Sequence, residues 1–388
     1  MYPTISDLIK DIFGLNIPLP IQSFGFMMAL AFLCAASTLM SELKRKEKQG
    51  LLHTSIVRST IGEKATIADL AGSFIFGFIV GFKLLYVIFN YQEFVGDTQG
   101  VLLSLKGNLL SGIVLGIAMA YMRYREKEKS RLPEPKTIDE IIFPHQLVTN
   151  FTMVAAVSGI LGAKVFHNLE NLQDFEHDPM GALLSFSGLT MYGGLIFGTI
   201  AVMWYGNKYK IHPLHLADAT APGLMLAYGV GRLGCQLAGD GDWGIVNLTP
   251  KPSVLSWLPD WAWAYNYPNN VVNDGMPIPG CEGRHCMMLP DSVYPTPLYE
   301  AIACILLFFI IWKLRKRFDV MGKVFSFYLL LNGIERLLIE QIRVNNKLSF
   351  LGLQVTQAEI IATLLILIGG AGLLFLKPSP TKVLSDES

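Results

Sequence analysis

The chain is 388 residues long, with 52% hydrophobic, 11% aromatic and 16% charged residues and a formal net charge of zero. Its mean hydropathy of +0.42 is too high for an ordinary soluble globule of this length, so a membrane protein is the default reading. The balanced charge argues against a nucleic acid or a generally acidic partner.

The N-terminal stretch MYPTISDLIKDIFGLNIPLP lacks a basic n-region, an apolar h-region and a small-residue cleavage site. No removable signal peptide is expected, and the first span should stay in the mature protein. Crossing the hydrocarbon takes about 20 mostly apolar residues. Nine such windows follow in order, at roughly 21–41, 69–91, 103–122, 148–168, 188–206, 216–238, 298–313, 322–343 and 357–376. The expected fold is all-α, a polytopic membrane protein of about nine transmembrane helices. It forms a single transmembrane domain over 1–376, with an outer-face loop or head region at 239–297 and a cytoplasmic tail at 377–388.

Lysines and arginines set the orientation, because cytoplasmic loops keep an excess of them. One side collects Lys44 to Lys64, Arg123 to Lys136, Lys208 and Lys210, Lys313 to Lys323, and the C-terminal Lys377 and Lys382. The other side holds only Lys10, Lys251, Arg284 and Lys347. The N-terminus is expected outside and the C-terminus in the cytoplasm. In the outer loop, CEGRHC places Cys281 and Cys286 where an oxidising compartment allows a disulfide. Cys34 and Cys304 read as packing residues within spans.

Sliding the chain against itself by 81 positions aligns 79–112 with 160–193 without a gap. Gly81, Lys83, Asn90, Asp97, Gly107 and Gly112 recur as Gly162, Lys164, Asn171, Asp178, Gly188 and Gly193. A two-helix hairpin has been copied, so that 69–122 resembles 150–203. Most of its glycines let helices approach closely. Lys83 and Lys164 are different, since an ammonium within a span is costly unless it snorkels or finds a partner. The copies diverge at MYGGLIFG (191–198), which marks the second as the working one.

Charges inside spans are functional candidates by default. In NGIERLLIEQIR (332–343), a helix turning about 100° per residue puts Arg336, Glu340 and Arg343 within roughly 60° of one another. Arg232 lies toward the outer end of its span in GVGRLGCQLAGDGDWG (229–244), with Asp240 and Asp242 just beyond. YPTPLYE (294–300) returns the outer loop to the membrane, where Glu300 enters its edge. A structural salt-bridge lattice accounts for Arg336 with Glu340. Three arginines against two or three carboxylates nevertheless leave cationic capacity at one depth, and arginine's planar fork suits phosphate. A phospholipid headgroup is the local anion. GDGDWG lacks the ligand count of a calcium loop, so no metal is assigned. No Walker loop, HExxH, CxxC or GxSxG pattern occurs.

Taken together, GRLGCQLAGDGDWG, GAKVFHNLE with MYGGLIFG, LHLADATAPG (214–223), YPTPLYE and GIERLLIEQIR resemble the prolipoprotein diacylglyceryl transferases of bacteria. The resemblance covers the first span and then about 150–376, leaving 69–122 as a hairpin added to a seven-span core. It implies transfer of a diacylglyceryl group from phosphatidylglycerol to the lipobox cysteine thiol of a prolipoprotein, forming a thioether and releasing glycerol phosphate. The setting would be the bacterial inner membrane, among membrane lipids and without a cofactor. The family's signature arginine falls on Arg232 and its second essential arginine on Arg336, with Glu340 and Arg343 continuing the pattern. Tyr192 replaces the family's histidine, Cys235 an asparagine and Phe24 a tyrosine, so a histidine base does not carry over. Catalytic candidates are Arg232, Arg336, Tyr192, Asp240, Asp242 and Glu340. Headgroup contacts are expected from Arg232, Arg336, Arg343, Lys164, Gly193, Gly194 and Gly244.

Sulfur attack needs a thiolate, and a free cysteine has a pKa near 8.5. Tyr192, Asp240, Asp242 and Glu340 are the candidate acceptors for its proton, while the arginines stabilise the phosphate that leaves. Tyr192 alternatively packs with its hydroxyl at headgroup level. Two other classes compete: a transporter or flippase of anionic lipids or solutes, and a non-catalytic assembly protein. Transporters often carry inverted repeats, whereas a copied two-span hairpin keeps its direction.

Overall fold

The computed structural model describes residues 1–15, 17, 19, 21–96, 101–102, 104–172, 190–345, 347–350 and 353–377. An amphipathic helix, α1 (Ile5–Phe13), opens the chain under a Thr4–Asp7 capping box and stops at Gly14, whose φ of 69° suits glycine. Nine longer helices follow among the described residues. They are α2 (Ser23–Lys48), α3 (Ile67–Phe89), α4 (Leu109–Lys129), α5 (Val148–Glu170), α6 (Met191–Lys208), α7 (Pro213–Ala238), α8 (Thr296–Leu314), α9 (Lys323–Glu340) and α10 (Gln357–Phe375). The chain is thus a mostly helical, multi-pass membrane protein. Five helical segments, 23–48, 67–89, 144–170, 296–317 and 357–375, are long and apolar enough to cross a membrane by length and composition alone. The other helices are diluted by charge or small polar residues, α4 by its end RYREKEK and α7 and α9 by the charges discussed below.

Three two-stranded antiparallel ribbons add to the helices. The first pairs β1 (Ser55–Ile61) with β2 (Lys136–Ile142), centred on Arg58 opposite Asp139. The others, β3 (Met276–Pro277) with β4 (Met287–Met288) and β5 (Lys347–Phe350) with β6 (Leu353–Thr356), stiffen the long α7–α8 loop and the α9–α10 link. Cys281 and Cys286 are joined by a disulfide.

The duplication is visible in the architecture. The bounds of β1 and α3 recur in β2 and α5 at the same offset of 81 positions. Because Arg58 and Asp139 are themselves equivalent, the two strands pair as copies about a local two-fold axis. Both first helices end on asparagine, and Asn90 and Asn171 each donate back to the carbonyl four residues earlier, at 3.0 and 2.9 Å. Both hairpins close on a glycine pair. A Cβ on Gly81 would strike the Ser111 carbonyl, and one on Gly112 would meet Phe78 at 3.0 Å. In the second copy Gly162 and Gly193 each abut the other's carbonyl. The repeat residues in 97–100, 103 and 173–189, and the tail beyond 377, lie outside the described residues.

Two apolar clusters hold the bundle. At one end Leu39 and Leu43 of α2, Leu147, Val148 and Phe151 at the start of α5, and Leu216 of α7 pack together. Along the middle, α7, α8 and α9 meet through Met225, Cys304, Phe308, Ile311 and Val324.

Candidate functional site at the ends of three helices

Helix α7 starts on Pro213 and continues to Gly239, whose φ of 64° ends it in the left-handed region. That turn folds the acidic loop back over the helix end. Asp242 there bonds Arg232 Nη1, about two turns below the cap. Thr296 Oγ1 donates to the Asp242 carbonyl at 2.7 Å and so ties the loop to the first turn of α8.

Glu300, one turn further along α8 and with no exposed surface, is the hub. Its Oε2 takes Arg232 Nε at 2.6 Å and Tyr228 OH at 2.7 Å. Its Oε1 takes Arg343 Nη1 at 3.2 Å and lies 3.9 Å from Arg336 Nη1. Arg343 Nη2 also reaches Asp242 Oδ1 at 2.5 Å. Arg336 Nη2 pairs with Glu340 Oε2 at 2.9 Å. The other oxygen of Glu340 accepts from Thr356 Oγ1 at 2.7 Å and Asn345 Nδ2 at 2.6 Å, fastening α9 to the cap of α10.

Two expectations change here. Arg343 was expected on the face of a helix running to 343, but α9 ends at Glu340. Arg343 reaches the cluster because its backbone bridges Gly244, where any Cβ would crowd Tyr294 and Thr296 at 2.9 Å. The expected surplus of positive charge is also absent. Arg232, Arg336 and Arg343 face Asp242, Glu300 and Glu340, so paired charges balance. What remains is donor capacity: Arg336 Nη1 and Arg343 Nε have no hydrogen-bond acceptor among the described residues.

Asp240 and Asp242 differ sharply, and both lie beyond the end of α7. Burial pushes the Asp240 carboxyl above the usual range. Burial also works to raise Asp242, but the Arg232 and Arg343 guanidiniums outweigh it and hold that carboxyl below the usual range. Asp240 accepts the Asp242 N–H at 3.3 Å and lies near Cys235, whose Sγ is 3.8 Å from Arg232 Nη1. Cys235, Asp240 and Asp242 group their ligand atoms within 4.8 Å, but the Arg232 guanidinium already supplies the cation there.

The second hairpin contributes less directly. Tyr192 opens α6 and makes no hydrogen bond or ion pair with the arginines among the described residues. Gly193 and Gly194 lie against α5, where a Cβ on Gly193 would strike the Gly162 carbonyl and Phe166, and one on Gly194 would sit tightly, 3.1 Å from the Gly159 carbonyl. Their positions thus have a packing cause. Lys164 is part-buried on α5. Its counterpart Lys83 does not snorkel but folds onto the carbonyls of Val101 at 2.7 Å, Lys106 at 2.9 Å and Ser104.

Sequence reasoning noticed Glu300 without giving it a role and missed Glu335. The signal for Glu300 was a carboxylate within a span. Glu335 stands beside Arg336, is 6% exposed, and neither of its oxygens has a hydrogen-bond partner among the described residues.

The family description Prolipoprotein diacylglyceryl transferase matches residues 107–375, which contain every arginine and carboxylate of the cluster. The chain belongs to this family. Relatives from Streptococcus pyogenes serotype M5 (strain Manfredo), serotype M49 (strain NZ131) and serotype M1, each named phosphatidylglycerol--prolipoprotein diacylglyceryl transferase, are 29% identical over 266 residues. Each alignment covers 67% of this chain and 85% of the relative. For this diacylglyceryl transferase, the matched segment begins inside the first hairpin, at α4, and leaves out α2.

Proposed function

We infer that this chain transfers the diacylglyceryl group of phosphatidylglycerol to the cysteine thiol of prolipoproteins. The observation that carries the reading is the convergence of Arg232, Arg336 and Arg343 on Glu300 and Asp242, in a chain of the matching family. The nine long helices are its spans, in a single domain with the N-terminus outside and the tail from 377 in the cytoplasm. The inner membrane supplies the lipid, and the lipobox cysteine arrives on the peptide from the outer face. The first hairpin is an addition to the transferase core.

The phosphate of the lipid competes for guanidiniums that carboxylates now hold. Arg336 Nη1 and Arg343 Nε supply the first contacts, and Arg232 follows as its bonds to Asp242 and Glu300 loosen. Gly244 serves by admitting the Arg343 strand, and Glu340 by holding Arg336 in place. Tyr192, Lys164, Gly193 and Gly194 form the wall of the second hairpin, with Tyr192 at headgroup level. Asp240 is the proton acceptor. Burial raises its proton affinity above that of an ordinary aspartate and no guanidinium is bonded to it, whereas Asp242 is spent on two arginines.

The thiol gives its proton to Asp240, and the sulfur attacks the glycerol carbon that bears the phosphate. The carbon–oxygen bond breaks, its electron pair stays on the phosphate oxygen, and the thioether and glycerol phosphate separate. Charge grows on that oxygen in the transition state, where preorganised guanidiniums act most strongly.

The test uses purified protein in detergent with acyl-labelled phosphatidylglycerol and a lipobox peptide. Label should pass to the peptide with one glycerol phosphate released per thioether, and Arg232→Ala should abolish it. A fully active Arg232→Ala protein would refute the assignment.

A further inference from the structure

A second charged layer lies at the other end of the bundle, where the start of α7 meets the end of α2 and the α8–α9 link. Asp218 and Arg232 are 14 residues apart on α7, so the two layers are separated by roughly 21 Å at 1.5 Å per residue. In this layer Glu42 is shared between Arg45, at 2.8 Å, and Arg315. Asp218 is committed to the backbone, accepting from Gly322 N at 2.9 Å and Phe325 N at 3.0 Å, and so caps α9. Lys46, with 5% of its side chain exposed, has an ammonium 3.5 Å from Asp218 Oδ2 and 3.4 Å from His215 Nδ1. Both contacts are at the long end for a group with three protons to donate.

The sum differs from that at the outer cluster. Arg45, Lys46 and Arg315 face only Glu42 and Asp218, so one buried cation is left without a counter-charge. A burial of that kind is costly unless an anion joins it. A cavity of about 320 Å³ opens onto Arg45, Lys46, His215 and Asp218 of this layer, with Lys316 and Asp319 at its exposed rim. Most of its remaining wall is apolar, formed by Leu51, Phe318, Val320, Met321 and Val324, with Gln49 a further polar residue. A cationic floor beside an apolar wall fits an amphiphile better than a bare ion.

We propose that this cavity binds a phosphate ester, with Lys46 as its principal contact and Lys316 at its entrance, and that its occupant is the anionic headgroup of a lipid from the leaflet at that face. The site is separate from the transferase centre, and its occupancy does not depend on catalysis there.

Binding is measured on the full chain in detergent, in an Arg232→Ala background that weakens the outer phosphate grip, so that binding at the second layer is read from its dependence on Lys46 and Lys316. The probes are dihexanoyl phosphatidylglycerol and inorganic phosphate. The lipid should bind, and Lys46→Gln should weaken it at least tenfold. Glu42→Gln, which deepens the cation surplus, should strengthen binding several-fold, and Lys316→Glu at the exposed rim should weaken it several-fold without touching the core. Inorganic phosphate binding as tightly as the lipid would assign the cavity to a free phosphate group, and binding of the lipid alone to a headgroup. Absence of binding by either probe, or binding unchanged in both Lys46→Gln and Lys316→Glu, overturns the proposal. Loss of peptide labelling in the otherwise wild-type chain, with this binding intact, would count against the transferase reading alone.

Discussion

The two hairpins share a local code and differ in how they join the molecule. In each, a first helix of 23 residues ends on an asparagine that bonds back on itself, and a glycine pair sets the closest approach of its partner helix. Yet Val148 at the start of α5 is 2% exposed, packed with Phe151 against α2 and α7, while its counterpart Ile67 at the start of α3 is 87% exposed. The first copy is held to the rest mainly through the pairing of β1 with β2. Small residues at one spacing are thus enough to build a membrane hairpin. Docking it onto a core takes a further set of apolar side chains at one end, and only the second copy uses that set.

The contrast is sharpest in stability. Phe151→Ala should cost about 3–5 kcal/mol, the usual range for emptying a buried aromatic site, whereas Leu70→Ala at the equivalent place in α3 should cost well under half of that. Unfolding of the two variants in detergent measures both, and equal losses would show that the first copy is docked as firmly as the second.

Activity should divide along the same line. Gly193→Val and Gly112→Val each wedge one hairpin open, but only Gly193→Val should lower peptide labelling, by tenfold or more, because α6 carries Tyr192. A comparable loss in Gly112→Val would make the first hairpin part of the machinery.

The proton acceptor gives a finer separation of the hairpin wall from the loop. Asp240 must be ionised to take the thiol proton, and burial raises its carboxyl. Labelling should therefore fall as pH drops through a range above the ordinary aspartate value of about 3.9. Asp242 stays ionised there because its guanidiniums hold it low. Asp240→Asn should cut the rate on the order of a hundredfold and remove that acid limb, in keeping with general-base contributions. Tyr192→Phe should change the rate only about threefold and keep the limb, since a neutral phenol is a far poorer proton acceptor than a carboxylate. The reverse pattern would move the base to the hairpin.

Much of this was legible in the sequence, for physical reasons. Apolar windows located the long helices, since hydrocarbon imposes length and composition together. Buried charge pointed to Arg232 and Arg336, because such charge is rare without a partner or a task. The strands β1 and β2 were not legible. Their residues are mostly exposed, the copies share little identity, and only the common offset of their bounds reveals the relation. Arg343 was assigned to the cluster for the wrong cause, as helical periodicity suggested a face that a backbone bridge to Gly244 supplies instead. The balance of charge was hidden too, because Glu300 is close to the arginines in space and remote from them in sequence.

The central claim is that the chemistry resides in the arginine cluster at the ends of α7, α8 and α9, with the first hairpin an attachment. Peptide labelling by phosphatidylglycerol, run in parallel on a chain lacking residues 55–142 and on intact Arg232→Ala, tests it directly. The account predicts a rate within threefold of wild type for the deletion and no labelling for Arg232→Ala. An inactive, well-folded deletion protein beside an active Arg232→Ala would contradict it.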